Sequence, residues 1–190
     1  MAKSFVFLEI VDPEIVALVH GIRSIANSAP SRSGPHVTIR GPYSKPVPPG
    51  QLTRYKRLLD SSPVVLEGVG VFTASDRFAV YVKVQHDKLR QVWWKPDYPI
   101  KKFGFNPHVT LYEGDDRQRA MLLCKFLTNE KLKVLTWDFV VRPYVSDHKD
   151  LFQRANPLDI SFFGLINKGQ IRADFLARLE RTLNKSLRAA

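Results

Sequence analysis

The sequence predicts a duplicated α+β fold within one globular unit. Hydrophobic spacing along the chain switches repeatedly between the two-residue period of strands and the longer period of helices. The tetrapeptide Pro-His-Val-Thr occurs at residues 35–38 and again at residues 107–110, and strand and helix patterns surround both copies. With 190 residues, of which 44% are hydrophobic, the chain can bury one substantial core.

The first half of the chain has the pattern of alternating strands and helices. A helix is predicted to begin after Asp12, because aspartate caps helices well and Pro13 suits a first turn. The predicted elements are a strand over residues 4–11, a helix over 13–26, a strand over 36–40, a proline-rich connector over 41–50 and a helix over 51–59.

The second half repeats this order around the second tetrapeptide. A pair of strands joined by Ala-Ser-Asp-Arg precedes it, and a helix follows it. The predicted elements are strands over residues 64–73 and 78–84, a helix over 87–94, the strand with the second tetrapeptide and a helix over 115–127. Residues 132–144 are predicted to form either a strand pair or one long strand.

Residues 146–190 are predicted to form a C-terminal extension that ends in a basic amphipathic helix. Apolar side chains recur on one face of this helix, at Ile171, Phe175, Leu179 and Leu183. We expect the helix to dock on the preceding domain, residues 1–145. Pairing with another subunit, contact with a membrane surface and contact with a phosphate backbone are the alternatives.

Composition limits the partners and the compartment. The net charge of +11 favours polyanions such as nucleic acid or phosphorylated ligands. Cys124 is the only cysteine, which excludes an intramolecular disulfide and a thiolate zinc cluster and fits a reducing compartment. No apolar stretch has the length of a signal segment or a membrane span, so we expect a cytoplasmic monomer without membrane contact.

The two tetrapeptides predict two matching polar faces. Side chains alternate across a strand, so His36, Thr38 and Arg40 are expected on one face and the apolar residues between them on the other. The same reasoning groups His108, Thr110 and Tyr112. If an internal two-fold relates the halves, two imidazoles and two hydroxyls surround one small group.

Such a set suits the chemistry of a phosphodiester. One imidazole can deprotonate the attacking oxygen while the other protonates the leaving oxygen. The hydroxyls of Thr38 and Thr110 can donate to the non-bridging oxygens as negative charge develops there, and Arg40 could add positive charge.

These residues resemble the paired His-x-Thr signature of the 2H phosphoesterase superfamily, which contains LigT-like 2',5' RNA ligases and 2',3'-cyclic phosphodiesterases. The opening strand Ser-Phe-Val-Phe-Leu-Glu-Ile with its helix and the approach Lys-Lys-Phe-Gly-Phe-Asn-Pro-His-Val-Thr-Leu are similar to the family's order. The resemblance covers about residues 4–145. It implies a bilobal, pseudo-two-fold fold in which antiparallel sheets line a central cleft and helices lie outside. It also implies catalysis by His36 and His108 without a metal, and phosphate contacts from Thr38 and Thr110. Either histidine could be the base.

Further residues are candidates for substrate contact. Arg40 is either a phosphate clamp or a solvated charge at a strand end. Tyr43 and Tyr112 could stack on a base or ribose, or pack against loops. Phe103 and Phe105, beside two lysines, form a mixture suited to single-stranded RNA, although one of them is expected in the core.

The other histidines, at positions 20, 86 and 148, have no threonine partner and are not expected to be catalytic. No pattern typical of a metal site, a P-loop or a dinucleotide site is present, so no cofactor is expected.

The sequence therefore predicts an RNA or nucleotide phosphoesterase that opens 2',3'-cyclic phosphates or cuts 2',5' linkages. Two alternatives remain open at this level. The protein could be a nucleotide-binding module of the same fold without turnover, or it could catalyse the reverse reaction, ligation.

Overall fold

The structure is a computed structural model that describes residues 3–27, 33–146 and 170–187. Its strands are β1 Lys3–Ile10, β2 His36–Tyr43, β3 Val64–Ala74, β4 Arg77–Gln85, β5 His108–Gly114, β6 Lys133–Thr136 and β7 Phe139–Ser146. Its helices are α1 Pro13–Ala26, α2 Pro49–Leu59, α3 Leu89–Val92, α4 Ile100–Phe103, α5 Arg117–Asn129 and α6 Gln170–Leu187. The expectations for His148 and for the side chain of Ile171 lie outside the described residues.

The strands form two antiparallel sheets, which confirms the predicted α+β class. The first sheet has the order β2-β1-β7 and the second has the order β5-β4-β3-β6. Each tetrapeptide thus opens a strand at the edge of its sheet. β1 lies beside β2 as β4 lies beside β5, so the halves are arranged in the same way around the two motifs.

Local sequence explains where the main helices begin. Asp12 Oδ1 accepts hydrogen bonds from the backbone N–H groups of Glu14 and Ile15, at 2.9 and 3.2 Å, as predicted for an N-cap. In α5 the same role falls to Asp116, whose Oδ1 accepts from the N–H of Arg119 at 2.9 Å.

Residues 132–144 form two strands that belong to different sheets. β6 pairs with β3 of the second sheet, whereas β7 pairs with β1 of the first. The chain turns between them, where the carbonyl of Asp138 accepts from the N–H groups of Val11 and Asp12. This segment therefore links the two halves, which periodicity alone does not reveal.

The helix predicted over residues 87–94 is reduced to the four residues of α3. Trp94 leaves the helix to pair with β2: its N–H donates to the carbonyl of Ile39 at 2.9 Å, and its carbonyl accepts from the N–H of Gly41 at 3.0 Å. At Trp94, backbone hydrogen bonds to β2 thus take the place of the helical hydrogen bonds that the local sequence predicts.

A β-bulge follows the threonine in both motif strands. Val6 lies opposite Arg40 and the next residue, Phe7, lies opposite Thr38, so β2 contains one extra residue between them. In β5, likewise, Tyr112 lies opposite Val80 and Thr110 lies opposite the next residue, Tyr81, so β5 also contains one extra residue. In β5 the alternation of burial breaks at the bulge and Tyr112 is buried, so its predicted face is wrong; in β2 Arg40 keeps the half-buried position that alternates with buried Ile39.

The core lies between the sheets and the helices, and α6 packs on it. Leu179 and Leu183 are fully buried, and Phe175 meets Phe126 of α5 with ring centroids 5.3 Å apart. Docking of the terminal helix on the rest of the chain is confirmed by these contacts, whereas the domain boundary near residue 145 stays a prediction. No helix in the described part of the chain is long and apolar enough to cross a membrane.

Candidate active site

The four motif side chains meet in one open cleft. Its wall consists of His36, Val37 and Thr38 from β2, His108 and Thr110 from β5, and Trp93 and Lys95 from the segment between α3 and α4. The cavity volume is about 60 Å³, far below the several hundred Å³ typical of pockets that enclose a drug-sized ligand. The cleft therefore suits a phosphate-sized group, and the nucleosides of a substrate would lie along its rim.

Both imidazoles are oriented by the same hydrogen bond. His36 Nδ1 lies 2.9 Å from the carbonyl oxygen of Gly34, and His108 Nδ1 lies 2.8 Å from that of Asn106. A carbonyl can only accept, so each Nδ1 carries the proton and donates it. The Nε2 atom of each ring is left to exchange a proton with a ligand, which is the state that general acid and base catalysis requires.

Burial and neighbouring cations lower the pKa of both histidines below the ordinary 6.5. For His36 the main cause is desolvation; the bond to Gly34 opposes it, and the charge of Arg23 adds to it. For His108 the main cause is again desolvation, opposed by the bond to Asn106 and reinforced by Lys95 and His36. The influence of His36 on the pKa of His108 indicates that the two imidazoles are electrostatically coupled.

Aromatic rings pack against both imidazoles in matching positions. Phe7 stacks on His36 with ring centroids 4.2 Å apart, and Tyr144 stacks on the Phe7 ring. In the other half Tyr81 and Phe72 each lie 5.0 Å from His108 and stack on each other. These contacts restrict the orientation of the two rings.

Lys95 supplies a cation that the sequence interpretation missed. It lines the cleft, its Nζ lies 5.2 Å from the ring centroid of Trp93, and desolvation lowers its pKa. Its position follows from the pairing of Trp94 with β2. A signal was available in the repeat: Lys95 lies 13 residues before His108, and Arg23 lies 13 residues before His36.

Arg23 occupies the matching position but is buried and bonded to the protein. Its Nε and Nη2 donate to the carbonyl of Thr110 at 3.1 and 2.8 Å, and its Nη1 donates to the carbonyl of Ser33 at 2.5 Å. Desolvation lowers the pKa of Arg23 to about 10, so the guanidinium is charged at neutral pH. Through Arg23, helix α1 of the first half is thereby hydrogen-bonded to strand β5, which carries the second motif.

Arg40 and Tyr112 were predicted on the polar faces, and the structure corrects the prediction for Tyr112. Arg40 is half-buried and bonded to the protein: its Nε donates to the hydroxyl of Tyr43 at 2.7 Å, its Nη1 donates to the carbonyl of Val92 at 3.2 Å, and its guanidinium lies 4.9 Å from the ring centroid of Tyr55. Tyr112 is buried in the core, where its hydroxyl donates to the carbonyl of Asp116. Neither residue lines the cleft.

Two further candidates, Tyr43 and Phe105, do not line the cleft, and their role in substrate contact stays a prediction. Tyr43 is engaged with Arg40 through its hydroxyl, as described above. Phe105 packs edge to face on Trp93, with centroids 5.3 Å apart, and thus supports a cleft residue from behind. Phe105 packs against the core while Phe103 is exposed, which confirms that one of the pair is internal.

The remaining described histidines lie outside the cleft. His86 is held by the protein: its Nε2 contacts the carbonyl of Leu59 at 2.8 Å and its Nδ1 accepts from the N–H of Lys88. His20 lies on α1 and does not line the cleft. Within residues 3–27, 33–146 and 170–187, no group of three or more metal-ligating side chains occurs.

Comparison with known families agrees with the geometry. The family model of the 2'-5' RNA ligase superfamily matches residues 11–142, a span that includes both motifs and Lys95. No curated protein gives a significant match to the chain.

Proposed function

Because the chain belongs to the 2'-5' RNA ligase superfamily, we propose that it is a metal-independent phosphoesterase acting on 2',3'-cyclic phosphates or 2',5' linkages of RNA. One observation carries the proposal: His36 and His108, each with its Nδ1 proton held by a carbonyl, line the same cleft. Members of the superfamily are in general phosphoesterases or ligases, so the proposal concerns the direction and the substrate.

In the proposed reaction the phosphorus lies between the two Nε2 atoms. The neutral imidazole takes a proton from the attacking oxygen, which is water for a cyclic phosphate and water or the neighbouring ribose hydroxyl for a 2',5' linkage. A P–O bond forms on that side, and the P–O bond to the leaving oxygen breaks while the protonated imidazole donates to it. One proton enters the histidine pair and one leaves it.

Negative charge on the non-bridging oxygens is stabilised by the other cleft residues. The hydroxyls of Thr38 and Thr110 donate hydrogen bonds, and the ammonium of Lys95 supplies the full positive charge. These groups are already in place, so little reorganisation accompanies the reaction.

The lowered pKa values of His36 and His108 are consistent with one imidazole acting as base and the other as acid. A free enzyme with two largely neutral imidazoles has a base ready at neutral pH, and the coupling between the rings disfavours the doubly protonated form. An anionic phosphodiester in the cleft raises the pKa of both rings, which lets one of them hold the proton needed by the leaving group.

A substrate panel tests the proposal. Purified protein in excess chelator is incubated with 2',3'-cyclic nucleotides, RNA ending in a cyclic phosphate, and 2',5'-oligoadenylate, and the position of the phosphate on each product is read by mass spectrometry and chromatography. We expect a 2'- or 3'-phosphomonoester from the cyclic compounds or cleavage of the 2',5' bond. Absence of product from all three would contradict the proposal.

The same panel distinguishes ligation. Since the reverse reaction passes through the same transition state, RNA with a 5'-hydroxyl is added to RNA ending in a 2',3'-cyclic phosphate. A joined product that exceeds the hydrolysis product would assign the protein to the ligase direction.

A further inference from the structure

The segment between Trp93 and β5 carries exposed aromatic rings next to lysines. The side chains of Tyr98 and Phe103 are 55% and 49% exposed, and their ring centroids lie 5.3 Å apart. We call Lys95, Tyr98, Lys102 and Phe103 the aromatic-lysine patch. Two large rings left in water side by side are unusual unless they serve a contact.

The cations of the patch lie directly against these rings. Lys95 Nζ is 5.2 Å from the centroid of Tyr98, and Lys102 Nζ is 5.2 Å from the centroid of Phe103. Asp97 is the acidic residue of the segment, but in the described part of the chain neither lysine forms an ion pair with it. The patch therefore combines two ring faces with two lysines that form no ion pair in the described part of the chain.

The patch is continuous with the cleft through Lys95. That one side chain lines the cleft and also lies over the rings of Trp93 and Tyr98. A phosphate held in the cleft thus lies beside the first ring of the patch, and the cleft itself is too small to enclose a nucleoside.

We propose that the aromatic-lysine patch binds the nucleotide that adjoins the scissile phosphate in single-stranded RNA, with its base against Tyr98 and Phe103 and its phosphate at Lys102. This inference rests on the proposed function for the identity of the central phosphate. Ring faces accept any base by stacking, and exposed lysines attract the backbone without reading sequence. The patch therefore favours longer strands over mononucleotides and does not select a base.

Binding is measured first, because it does not depend on turnover. The probe is a fluorescein-labelled 2'-O-methyl RNA hexamer, and the readout is its anisotropy at several salt concentrations. We expect the variant Tyr98→Ala/Phe103→Ala to bind the hexamer roughly tenfold or more weakly than the wild type. The variant Lys102→Gln should reduce the slope of log affinity against log salt by about 0.7.

Matched surface variants serve as controls. Trp137 is another exposed aromatic residue, and Lys125 is an exposed lysine on α5; neither lines the cleft or belongs to the patch. Trp137→Ala and Lys125→Gln should bind the hexamer as the wild type does. Equal affinity of wild type and patch variants, or no binding of the hexamer by the wild type, would overturn the inference.

A second readout separates this inference from the proposed function. The ratio of kcat/KM for a cyclic-phosphate-ended RNA hexamer to that for a 2',3'-cyclic mononucleotide is compared between wild type and Tyr98→Ala/Phe103→Ala. We expect this ratio to fall about tenfold in the variant. If the patch variants bind the hexamer more weakly but the wild type turns over neither substrate, the proposed reaction is refuted and the inference of RNA binding at the patch is supported. If the wild type turns over both substrates and the ratio is unchanged in the variant, the inference about the patch is refuted.

Discussion

The two halves of the molecule place a similarly oriented imidazole in different surroundings. In both, a histidine donates its Nδ1 proton to the carbonyl two residues earlier, a bulge follows the threonine, and aromatic rings pack on the imidazole. The cations differ, because Arg23 is buried against backbone carbonyls while Lys95 lines the cleft. In the proposed reaction both halves would therefore supply an imidazole for proton transfer, whereas only the second half would supply a cation at the cleft.

The connections before the two motifs differ as well. α1 is a regular helix of 14 residues that packs on the core, whereas the second half has two four-residue helices and the exposed aromatic-lysine patch. The segment before the second motif is therefore the more exposed of the two, and it is the one to which we assign the proposed contact with RNA.

The largest expected effect tests the equivalence of the two histidines. His36→Ala and His108→Ala should each lower kcat/KM by ~10²–10⁴-fold on the best substrate of the panel. The double variant should be little worse than either single variant, because the two groups act as a unit. His20→Gln is the control and should retain activity. Full activity in either alanine variant would show that only one half takes part in the chemistry.

The next effect tests the difference between the two cations. Lys95→Met should lower kcat by about 10²-fold or more while leaving stability nearly unchanged, because a charge opposite the developing oxyanion is lost. Arg23→Met should instead lower the free energy of unfolding by on the order of 3 kcal/mol, since it removes the three hydrogen bonds that the buried guanidinium donates to the carbonyls of Ser33 and Thr110. Urea unfolding and steady-state kinetics on both variants check this. A Lys95→Met variant that is destabilised but has a normal kcat would show that Lys95 has a structural role and not a catalytic one.

A smaller, symmetric effect is expected at the hydroxyls. Thr38→Val and Thr110→Val remove one neutral hydrogen-bond donor each, so kcat should fall about tenfold in either variant. The measurement is kcat for each variant under saturating substrate. A large loss in one variant and none in the other would mean that the phosphate lies against a single strand.

The smallest effect concerns pH. Since both imidazoles have a lowered pKa, kcat/KM should follow a bell whose maximum lies on the acidic side of 6.5. Lys95→Met removes a charge that lowers the pKa of His108, so the limb governed by His108 should move to higher pH. Movement of the acidic limb would identify His108 as the base, and movement of the alkaline limb would identify it as the acid. Two unmoved limbs would show that Lys95 does not act on the histidine.

The internal repeat in the sequence predicted the four motif residues of the cleft. Local hydrophobic patterns gave wrong predictions where pairing with a distant strand determines the direction of a side chain. His36, Thr38, His108 and Thr110 were predicted together and lie together in the cleft. The predicted alternation failed at Tyr112, beyond Thr110, because the bulge in β5 becomes visible only when the neighbouring strand is known.

Lys95 was missed for a related reason. The residues before it, 87–94, were predicted to form a helix, whereas Trp94 pairs with β2 and brings the lysine to the cleft. The offset of 72 residues that relates the histidines also relates Arg23 to Lys95, so a full comparison of the two halves would have found it.

The central claim is that both imidazoles meet one phosphate. Nitrogen-15 NMR of histidine-labelled protein, titrated with pH in the absence and presence of 2'-AMP, tests it most directly. We expect His36 and His108 both to carry their neutral-form proton on Nδ1, both to titrate below 6.5 in the free protein, and both to shift to a higher pKa when the phosphate binds. A shift at only one of the two histidines, or at neither, would contradict it.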